Sequence, residues 1–423
     1  MKSLFCLCFL LAGIRANNPC PQDSKYPPYN SYSELNPGVS HQEQAGQTNQ
    51  NTWAHKIQNS ICQFALCFYK ETAPSRNKEN VFFSPISITG TLAMLALGAK
   101  SETLHQILRG LGFNSENIQE EEVHEGFCNI MQKLNQQNND IELNMGNVMF
   151  VTKELQLLQQ FRNNLNLVCG EEIFPVNFRY TKEAEEKINR YANEKTNGKI
   201  VQLVNNIDPL TEILLVSYIY FKAGWEKQFD RKYTKQRDFF VDKNTVIKVP
   251  MMFRMGMFKY GYDRQLSSTV VQMDYKGGAT AFFVLPDRGQ MQKLEKGLSC
   301  QVLFKWRKLV SKRLVELYLP KFNLSETYEL KGLLNRMGII DLFTDKADLS
   351  GITGTPRHRV SEAIHKAMVK VHESGTEAAA GTAVEIVPMA APSNIKFERP
   401  FLFFIQFKNS VLFWGKILIP KDN

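Results

Sequence analysis

A run of small and β-branched residues near the end of the chain is the segment whose composition points most directly to a function. Residues 373–382 read E-S-G-T-E-A-A-A-G-T between two strand-like runs. A short Ala-rich helix is the alternative, since alanine has the highest helix propensity, but Thr376, Thr382, Gly375 and Gly381 are indifferent helix material. Small side chains suit a segment that slides between two existing strands, where every second residue enters a packed interior. The pattern therefore predicts strand addition.

The motifs of hydrolytic enzymes are missing from this sequence. It contains no G-x-S-x-G and no H-E-x-x-H, and its seven histidines form no evident catalytic set. A hydrolase is the alternative that this absence disfavours. We therefore expect a protein that is not an enzyme and that needs neither a metal nor a cofactor.

Eight cysteines are scattered along the chain, and none forms a C-x-x-C pair. Neither a zinc site nor a small disulfide-stapled fold is expected from that spacing. Cys6 and Cys8 lie in the N-terminal apolar segment, and the other six are interpreted mostly as buried thiols. Cys62 and Cys67 fall on different faces of a helical stretch, so we do not expect them to pair, and one bridge elsewhere stays open.

The first sixteen residues have the features of a secretory signal. Lys2 supplies a positive charge, residues 4–11 are apolar, and Ala16 is a small residue at the expected cleavage point. A membrane anchor is the alternative, but Arg15 ends the apolar run before the roughly 18 residues that a span needs. No other stretch approaches that length. We therefore expect a secreted protein without a membrane span.

The rest of the chain divides by composition into two parts. Residues 17–51 are rich in Asn, Gln, Pro and Ser, which predicts a flexible polar tail. Residues 52–423 contain no linker and no internal repeat, so we expect a single α+β domain. Apolar spacing predicts the main elements. Helices are expected over 53–69, 86–97 and 182–195, and strands over 213–221, 269–273, 279–285, 313–319, 367–371, 401–407 and 411–417, the last two joined by a Lys408-Asn409-Ser410 turn.

The chain carries an excess of positive charge. Lys and Arg number 51 against 42 Asp and Glu, a formal net charge of +9. Loss of Lys2 and Arg15 with the signal leaves +7. Such an excess favours anionic partners, and a secreted protein meets polysaccharide more often than nucleic acid. We therefore expect no nucleic-acid partner.

The sequence resembles the serpin family, in particular its antitrypsin-like (clade A) group. The pattern E-x-G-T-E-A-A-A-x-T, which residues 373–382 match, is the hinge signature of the family's inhibitory members. Further motifs follow in family order after Trp53, and together they identify the chain as a member. They are N-V-F-F-S-P-I-S-I (80–88), L-A-M-L-A-L-G-A (92–99), F-K-A-G-W (221–225), V-P-M-M (249–252), A-D-L-S-G-I (347–352), H-K-A (365–367) and F-E-R-P-F-L-F-F-I (397–405).

This resemblance implies a fold of three β-sheets with about nine helices and an exposed reactive centre loop, at about residues 373–396, that is held in a stressed form. A target serine protease attacks the loop and forms an acyl-enzyme. The loop then inserts into the central sheet as a new strand and carries the protease with it. The resemblance thus implies inhibition by suicide cleavage.

The bait of such a loop is assigned by the same resemblance. The expected scissile bond is Met389–Ala390, with Ala390 replacing the serine usual there. A methionine side chain suits the medium apolar pockets of elastase-like or chymotrypsin-like proteases. An ordinary exposed loop residue is the alternative reading of Met389. The flanking bait residues are Ile386, Val387, Pro388 and Pro392.

Two structural sites are implied as well. Thr376 is expected to enter the sheet first, with Gly375 as the pivot, and His365 is expected in the polar shutter beneath the sheet. Most relatives have asparagine where this chain has Ser217, so the contact to His365 is expected to be missing or water-mediated. An ordinary buried histidine is the alternative for His365. The hinge set is Glu373, Gly375, Thr376, Glu377, Ala378, Ala379, Ala380 and Thr382, and the shutter set is Ser84, Ser87, Ser217 and His365.

A basic stretch predicts a polysaccharide site. Residues 301–314 are interpreted as an amphipathic helix with Val302, Trp306, Leu309 and Val310 on its apolar face. The stretch resembles the heparin-binding helix of another member of the family. A solvated lysine face is the alternative. The candidate heparin-binding residues are Lys305, Arg307, Lys308, Lys312 and Arg313.

The resulting prediction is a secreted, monomeric glycoprotein that forms a covalent complex with an extracellular serine protease. Asn323 begins the only N-x-S/T sequon and is the expected glycosylation site. Heparin or another glycosaminoglycan is the second expected partner. The alternative function is that of a non-inhibitory serpin carrying a small hydrophobic ligand such as a hormone.

Overall fold

The computed structural model contains both helices and strands and describes residues 41–113, 120–136, 138–168, 172–356, 358–376 and 391–422. The α-helices in these ranges are α1 (His41–Thr72), α2 (Pro85–Ala96), α3 (Ser101–Gly110), α4 (Glu120–Asn135), α5 (Gln159–Val168), α6 (Thr181–Lys195), α7 (Met291–Lys296), α8 (Cys300–Leu309), α9 (Leu330–Arg336) and α10 (Ser350–Thr353). The strands are β1 (Val81–Phe83), β2 (Ile141–Thr152), β3 (Glu172–Val176), β4 (Ile213–Gly224), β5 (Lys235–Phe240), β6 (Val246–Asp263), β7 (Ser268–Asp274), β8 (Thr280–Pro286), β9 (Ser311–Pro320), β10 (Phe322–Glu329), β11 (Glu362–Val371), β12 (Gly375–Thr376), β13 (Ser393–Lys396), β14 (Phe401–Phe407) and β15 (Ser410–Ile417).

The central sheet has the strand order β10-β11-β4-β2-β3, with the two-residue β12 paired to one end of β4. β4 is apolar along most of its length and almost wholly buried, as expected of a strand covered on both faces. β11 runs parallel to β4, whereas β2 runs antiparallel to it. Chain that leaves the end of β11 and turns back can therefore pair antiparallel to both β11 and β4. The pairing of β12 with β4 and the strand directions thus allow a strand to be added between β11 and β4.

The remaining strands form a nine-stranded sheet in two halves that share β6. One half contains β5, β6, β9 and β13, and the other runs in the order β1-β15-β14-β8-β7-β6. β6 serves both halves because it is long, pairing with β9 over Met251–Tyr260 and with β7 over Lys259–Asp263. With the central sheet, these two halves make the three sheets that the resemblance implies. The prediction of an α+β fold is confirmed.

Aromatic side chains fill the core between the sheets and the helices. The ring of Phe82 stacks on Phe403 at 5.9 Å and on Phe413 at 5.2 Å between centroids, and all three are fully buried. Each such ring contributes about 1.5–3 kcal/mol by leaving water. A second core lies on the opposite face of the central sheet, where Ile188 of α6 packs in one cluster with Val216 of β4. The central sheet is thus covered on both sides.

The predicted C-terminal hairpin is confirmed. β14 and β15 pair antiparallel, with Phe407 opposite Ser410. The two residues between them, Lys408 and Asn409, have φ angles of 48° and 66°. Left-handed backbone at both turn positions matches the right-handed twist of the flanking strands, and asparagine tolerates it better than most residues.

Two predicted boundaries are wrong. α1 begins at His41, so residues 41–51 of the predicted flexible tail are helical. The stretch 301–314 is not one helix, because α8 ends at Leu309, Val310 has extended backbone (φ −77°, ψ 135°) and β9 follows. β-branched residues and the alternating burial of the following residues favour a strand there. The predicted signal segment, residues 1–16, lies outside the described residues.

The cysteines also differ from expectation. Cys62 of α1 and Cys300 of α8 form a disulfide with their Cα atoms 5.9 Å apart, and Cys67 and Cys128 are disulfide-bonded too. The interpretation of most cysteines as buried thiols is therefore wrong for these four, although the sequence leaves one bridge open. The prediction that Cys62 and Cys67 do not pair is confirmed. Cys62 and Cys300 are separated by 238 positions, so no local pattern reveals that their helices lie side by side.

Candidate functional site

The hinge begins immediately after β11, and the fold has already placed its first residues against the central sheet. Gly375 pairs with Gly224 of β4, and Thr376 pairs with Ala223. Gly375 has φ +128°, and a Cβ atom there would collide with the backbone of Ala223. Only glycine fits this close approach and this backbone conformation. The predicted pivot is therefore a position that the geometry restricts to glycine.

Thr376 is fully buried at the end of β4. Its Oγ1 atom lies 3.2 Å from the phenolic oxygen of Tyr275, and either can donate the hydrogen bond. Tyr275 in turn stacks on Trp225 with the ring centroids 4.0 Å apart. A small residue with one hydroxyl fits this aromatic pocket. The residue expected to enter the sheet first is thus already inside it.

Trp225, from the F-K-A-G-W motif, fixes the turn that leads into the hinge. Its indole N–H donates to the carbonyl oxygen of His372 over 2.9 Å, and its backbone N–H donates to the carbonyl oxygen of Ser374 over the same distance. His372 and Gly375 form a further antiparallel bridge. The chain therefore reverses direction over residues 372–375 and starts back along β4.

Glu373 is nearly buried and is held by several groups. Its carboxylate accepts a hydrogen bond of 2.8 Å from Thr234 Oγ1 and pairs with Lys321 Nζ at 3.4 Å. Burial by itself raises the pKa of Glu373, but its own backbone N–H, Thr234 and Lys321 outweigh that effect and lower the pKa. Lys321 also pairs with Asp422 at 3.4 Å. The carboxylate thus ties the start of the hinge to neighbouring elements.

The shutter residues come together beneath the central sheet. His365 of β11 accepts a hydrogen bond at Nε2 from the backbone N–H of Ser84 over 3.0 Å, and its Nδ1 lies 2.9 Å from Ser217 Oγ of β4. Because Nε2 is the acceptor, the proton of the neutral ring is on Nδ1, and this N–H donates a hydrogen bond to Ser217 Oγ. The expectation that this contact is missing or water-mediated is therefore wrong. His365 and Ser217 are paired in register on adjacent parallel strands, so a serine is long enough.

His365 is held in its neutral form. The side chain is fully buried, and burial lowers its pKa to about 3, although the contact with Ser217 acts in the opposite direction. A neutral imidazole can accept at Nε2 and donate at Nδ1 at the same time, whereas the imidazolium cannot accept. The bridge from α2 through His365 to β4 depends on this protonation state.

Ser84 and Ser87 form the start of α2. Ser84 is the N-cap residue, and its hydroxyl accepts the backbone N–H of Ser87 over 3.3 Å. Pro85 follows at the first helical position, where its missing N–H costs nothing. The capped end holds the backbone N–H of Ser84 towards His365. The S-P-I-S segment thus positions the shutter through its cap.

Sequence reasoning missed two residues of this polar row. Asn147 of β2 lies opposite Ser217, and Tyr328 of β10 lies opposite His365. The Asn147 side-chain oxygen accepts a hydrogen bond of 2.9 Å from Thr91 of α2, and the Tyr328 hydroxyl accepts one of 3.3 Å from the backbone N–H of Phe82. A buried asparagine inside an apolar strand was the available signal, because buried polar groups require partners.

The predicted scissile bond and most of the predicted hinge lie outside the described residues. Three of the flanking bait residues lie outside them too. The residues concerned are Glu377, Ala378, Ala379, Ala380, Thr382, Ile386, Val387, Pro388, Met389 and Ala390. Beyond them, Pro392 is exposed, and β13 pairs parallel with β9. Tyr260 and Ser393 are joined by a 2.6 Å hydrogen bond between their hydroxyls. The segment that carries Met389 is thus tied at one end by Thr376 and at the other by β13.

The predicted heparin-binding residues are divided between two elements. Lys305, Arg307 and Lys308 lie on α8, whereas Lys312 and Arg313 lie on β9. Lys305 pairs with the buried Asp263 at 3.0 Å, and Arg307 is half-buried. Burial lowers the pKa of Arg307. The one-helix array that the sequence predicts does not form.

Asn323, the predicted glycosylation site, is half-buried in β10. It lies opposite Lys370 of β11, and its backbone N–H donates to the carbonyl oxygen of Lys421 over 2.5 Å. The sequon is therefore part of an edge strand rather than of a loop.

The described residues contain neither a membrane-spanning helix nor a metal-binding cluster. Within the part of the chain that the structure describes, no helix combines the length and the apolarity needed to cross a bilayer. No group of three or more His, Cys, Asp or Glu side chains among these same residues is arranged to hold a metal ion.

Comparison with known proteins identifies the fold. The family model described as Serpin (serine protease inhibitor) matches residues 59–420, which is most of the chain and includes β4, β11 and the hinge. The chain belongs to the serpin family. The motif-based assignment is confirmed, and the antitrypsin-like group is supported by curated relatives.

Two curated relatives show how similar this serpin is to the antitrypsin-like group. It is 43% identical over 381 residues to alpha-1-antiproteinase of Bos taurus, which covers 90% of this chain and 92% of the relative. It is also 43% identical over 380 residues to the hibernation-specific plasma protein HP-55 of Tamias sibiricus, covering 89% of this chain and 92% of the relative.

A solved structure gives the fold comparison. Human thyroxine-binding globulin, in complex with thyroxine, matches 88% of this serpin and 100% of its own chain with a TM-score of 0.84 and 36% sequence identity. The same fold therefore occurs in a protein whose solved structure contains thyroxine.

Proposed function

We propose that this serpin is a secreted suicide inhibitor of serine proteases that is cleaved at Met389–Ala390. The observation that carries the proposal is the position of Thr376, which is buried against Ala223 at the end of β4 and begins a strand there. Inhibition requires the loop to insert beside β4, and Thr376, the first residue of that insertion, is already paired there. The alpha-1-antiproteinase relative supports the same function by its name.

The chemical step belongs to the protease. Its serine Oγ attacks the carbonyl carbon of Met389, the peptide bond to Ala390 breaks, and the new amine of Ala390 takes a proton from the catalytic histidine. The acyl-enzyme ester then links the protease to Met389. In ordinary proteolysis water then hydrolyses this ester and frees the protease. Inhibition therefore requires loop insertion to be faster than hydrolysis of the ester. This serpin supplies no catalytic group, and we expect no enzymatic activity from it.

Insertion requires β11 and β4 to separate. Their ladder runs from Glu362 opposite Leu214 to Met368 opposite Tyr220, and the His365–Ser217 hydrogen bond crosses the same gap. These contacts keep the sheet closed until cleavage releases the loop. The inserted strand replaces them with two new antiparallel ladders, which are better aligned than the parallel one. The gain in hydrogen bonds and apolar burial drives the protease across the molecule.

The bait sets the class of target. Met389 is uncharged and of medium size, so it suits the apolar primary pocket of elastase-like or chymotrypsin-like proteases rather than the acidic pocket of trypsin-like ones. Oxidation to the sulfoxide makes the side chain polar. Treatment with a mild oxidant is expected to slow inhibition, and a Met389→Leu variant is expected to resist that loss.

The deciding experiment incubates the purified protein with chymotrypsin and with neutrophil elastase, followed by denaturing electrophoresis and mass analysis of the released peptide. A complex that survives denaturation, with a peptide that starts at Ala390, is expected. A Thr376→Arg variant is expected to be cleaved without forming a complex, because insertion would bury an unpaired charge at a cost of several kcal/mol. Thr376→Ala, which fits the same pocket, is the control and keeps complex formation.

Carriage of a small hydrophobic ligand is the second candidate function. It is favoured by the likeness to thyroxine-binding globulin, which shares the fold at a TM-score of 0.84. Clean cleavage of the wild-type protein without a complex would contradict inhibition and favour the carrier. Fluorescence titration with thyroxine would then test for the ligand, with no quenching at micromolar concentration arguing against it.

A glycosaminoglycan is the second proposed partner. Lys308, Lys312 and Arg313 are exposed at the junction of α8 and β9, and Lys308 lies over the ring of Phe304 at 4.7 Å. Replacement of these three by alanine is expected to weaken heparin binding and to reduce its salt dependence, as in other polyanion sites where each cation releases a counterion. Unchanged heparin affinity would favour an ordinary solvated face.

Secretion, a monomeric state and glycosylation of Asn323 complete the proposal. The word plasma in the name of the HP-55 relative supports secretion. Mass analysis of the protein secreted by mammalian cells, before and after removal of N-linked glycans, tests the sequon. A mass that does not change would show that Asn323 carries no N-linked glycan. Light scattering at micromolar concentration tests the monomer.

A further inference from the structure

A recess of about 340 Å³ opens on the half-sheet made of β5, β6, β9 and β13. Tyr318 of β9 forms one wall, and two cations lie over its ring. The Arg237 guanidinium carbon is 4.7 Å from the ring centroid, and Lys396 Nζ is 5.6 Å from it. Phe253 packs against the same tyrosine at 4.7 Å between centroids. The recess thus combines an aromatic wall with two positive groups.

The acidic residues of the recess are already neutralised. Asp238 pairs with Lys248 at 2.8 Å, and Glu398 pairs with Arg288 at 3.2 Å. By contrast, neither Arg237 nor Lys396 lies within ion-pair distance of a carboxylate among the described residues. Both are exposed side chains. The recess therefore presents two positive charges whose only described contact is the tyrosine ring.

The recess lies next to the end of the reactive loop. Lys396 belongs to β13, whose residue Ser393 is the third after Ala390. Lys396 lies six positions after Ala390, a span of at most about 20 Å at 3.3 Å per residue. A protease–inhibitor interface buries about 800 Å² on each partner, a patch of roughly 16 Å radius. A protease on Met389–Ala390 would meet the recess at the margin of its footprint.

We propose that Arg237, Tyr318 and Lys396 form an exosite that binds a carboxylate side chain on the surface of the attacking protease. This inference rests on the proposed inhibitory function and adds a second contact outside the bait. The guanidinium of Arg237 can hold a carboxylate in bidentate fashion, and the tyrosine ring restrains it in place. Two neighbouring cations match a single carboxylate better than a sulfated polysaccharide, whose binding depends on a longer row of positive groups.

The test uses chymotrypsin in two forms, native and succinylated, because succinylation converts surface lysines into carboxylates. The rate of cleavage at Met389–Ala390 is measured for the wild-type protein and for the Arg237→Ala/Lys396→Ala variant. A matched variant, Lys153→Ala/Lys346→Ala, removes the same net charge from two exposed positions outside this half-sheet. Thermal unfolding of all three checks that the changes leave the fold intact.

The wild-type protein is expected to react with succinylated chymotrypsin about tenfold faster than the Arg237→Ala/Lys396→Ala variant at 0.05 M NaCl, and the difference is expected to vanish at 0.5 M NaCl. The matched variant is expected to behave like the wild type. An equal loss in both variants would assign the effect to bulk charge and overturn the exosite. Equal rates of the wild type and the Arg237→Ala/Lys396→Ala variant would overturn it as well.

The affinity for heparin is the last measurement of this test. If the Arg237→Ala/Lys396→Ala variant loses affinity for low-molecular-weight heparin while its cleavage rate is unchanged, the recess belongs to a polyanion and the exosite is overturned. The exosite is tested through the rate of cleavage. The test therefore gives an answer even when no covalent complex survives denaturation. Cleavage without a complex contradicts the inhibitory function alone, and a wild-type protein that is not cleaved contradicts both.

Discussion

Ser217 Oγ and His365 Nδ1 lie 2.9 Å apart across the gap between β4 and β11. The two residues are paired in register on parallel strands, and both are fully buried. Their hydrogen bond therefore crosses the gap at which the proposed loop insertion separates the two strands. In the proposed mechanism it sets part of the barrier to that insertion.

Replacement of Ser217 by alanine is expected to lower the free energy of unfolding by about 1–3 kcal/mol, because the buried Nδ1–H of His365 loses its acceptor. Guanidinium unfolding at pH 7.5 measures the change. The same substitution at the exposed Ser311 is expected to change stability by less than about 0.5 kcal/mol. Equal effects at the two positions would show that the contact carries no stability.

The second prediction concerns pH. The folded-state pKa of His365 is about 3, below the usual 6.5, because burial disfavours the imidazolium. Between these two values the unfolded chain binds the proton and the folded one does not. Stability is therefore expected to fall as the pH falls from about 6.5 towards 3, at up to about 1.4 kcal/mol per pH unit from this residue.

Unfolding curves at pH 7.5, 6.0 and 5.0 test this slope. A His365→Gln variant is less stable at pH 7.5 but cannot titrate, so the part of the slope that comes from His365 is expected to disappear from it. A variant that keeps the full wild-type slope would place the titrating group elsewhere.

Glu373 controls the start of the hinge in a lower pH range. Its folded-state pKa is lowered from the usual value, against the effect of burial, by its own backbone N–H, Thr234 and Lys321. A carboxylate with a lowered pKa stabilises the fold above its unfolded-state pKa, and that stability is lost as the pH falls through the folded-state pKa. The wild-type hinge is therefore expected to loosen as the pH falls below the usual pKa of a glutamate and through the lowered folded-state pKa of Glu373.

Glu373→Gln is expected to show the loosened hinge already at pH 7.5, because Lys321 loses one of its two carboxylate partners. Hydrogen exchange of the backbone N–H of Phe229, which donates to the carbonyl oxygen of Glu373 over 2.9 Å, reports the change. Thr234→Val removes only the hydrogen bond and is expected to have a smaller effect. Wild-type exchange in Glu373→Gln would contradict the prediction.

The Cys62–Cys300 disulfide is expected to stabilise the fold by about 2–5 kcal/mol, because it closes a long loop in the unfolded chain. Removal of both cysteines as Cys62→Ala/Cys300→Ala lowers the midpoint of thermal unfolding, measured in the absence of reductant. Peptide mapping without reduction first verifies the pairing. An unchanged midpoint in the double variant would mean that the contact between α1 and α8 is maintained by packing alone.

Several parts of the fold follow from local sequence alone. The strands β14 and β15 are continuous apolar runs joined by Lys408 and Asn409, and such a pattern leaves few alternatives to a buried hairpin. The hinge motif around Gly375 and Thr376 likewise points to strand addition through its small side chains. In these segments the neighbours that matter are close in the chain, so spacing and side-chain size are sufficient evidence.

Other parts were decided only by tertiary packing. The helix predicted over residues 301–314 ends at Leu309 because the next residues pair with β6, which the helical spacing of the sequence does not show. The disulfide of Cys62 and Cys300 depends on α1 and α8 lying side by side.

One physical reason separates what the sequence determined from what the tertiary structure decided. Sequence by itself determined the serpin family and the position of the hinge, because motif order and side-chain size are properties of the chain. Tertiary structure decided whether Ser217 reaches His365, how Thr376 is buried beside Tyr275, and that Arg237 and Lys396 share one ring. Each of these depends on distances between residues far apart in the chain, which only the packed strands fix.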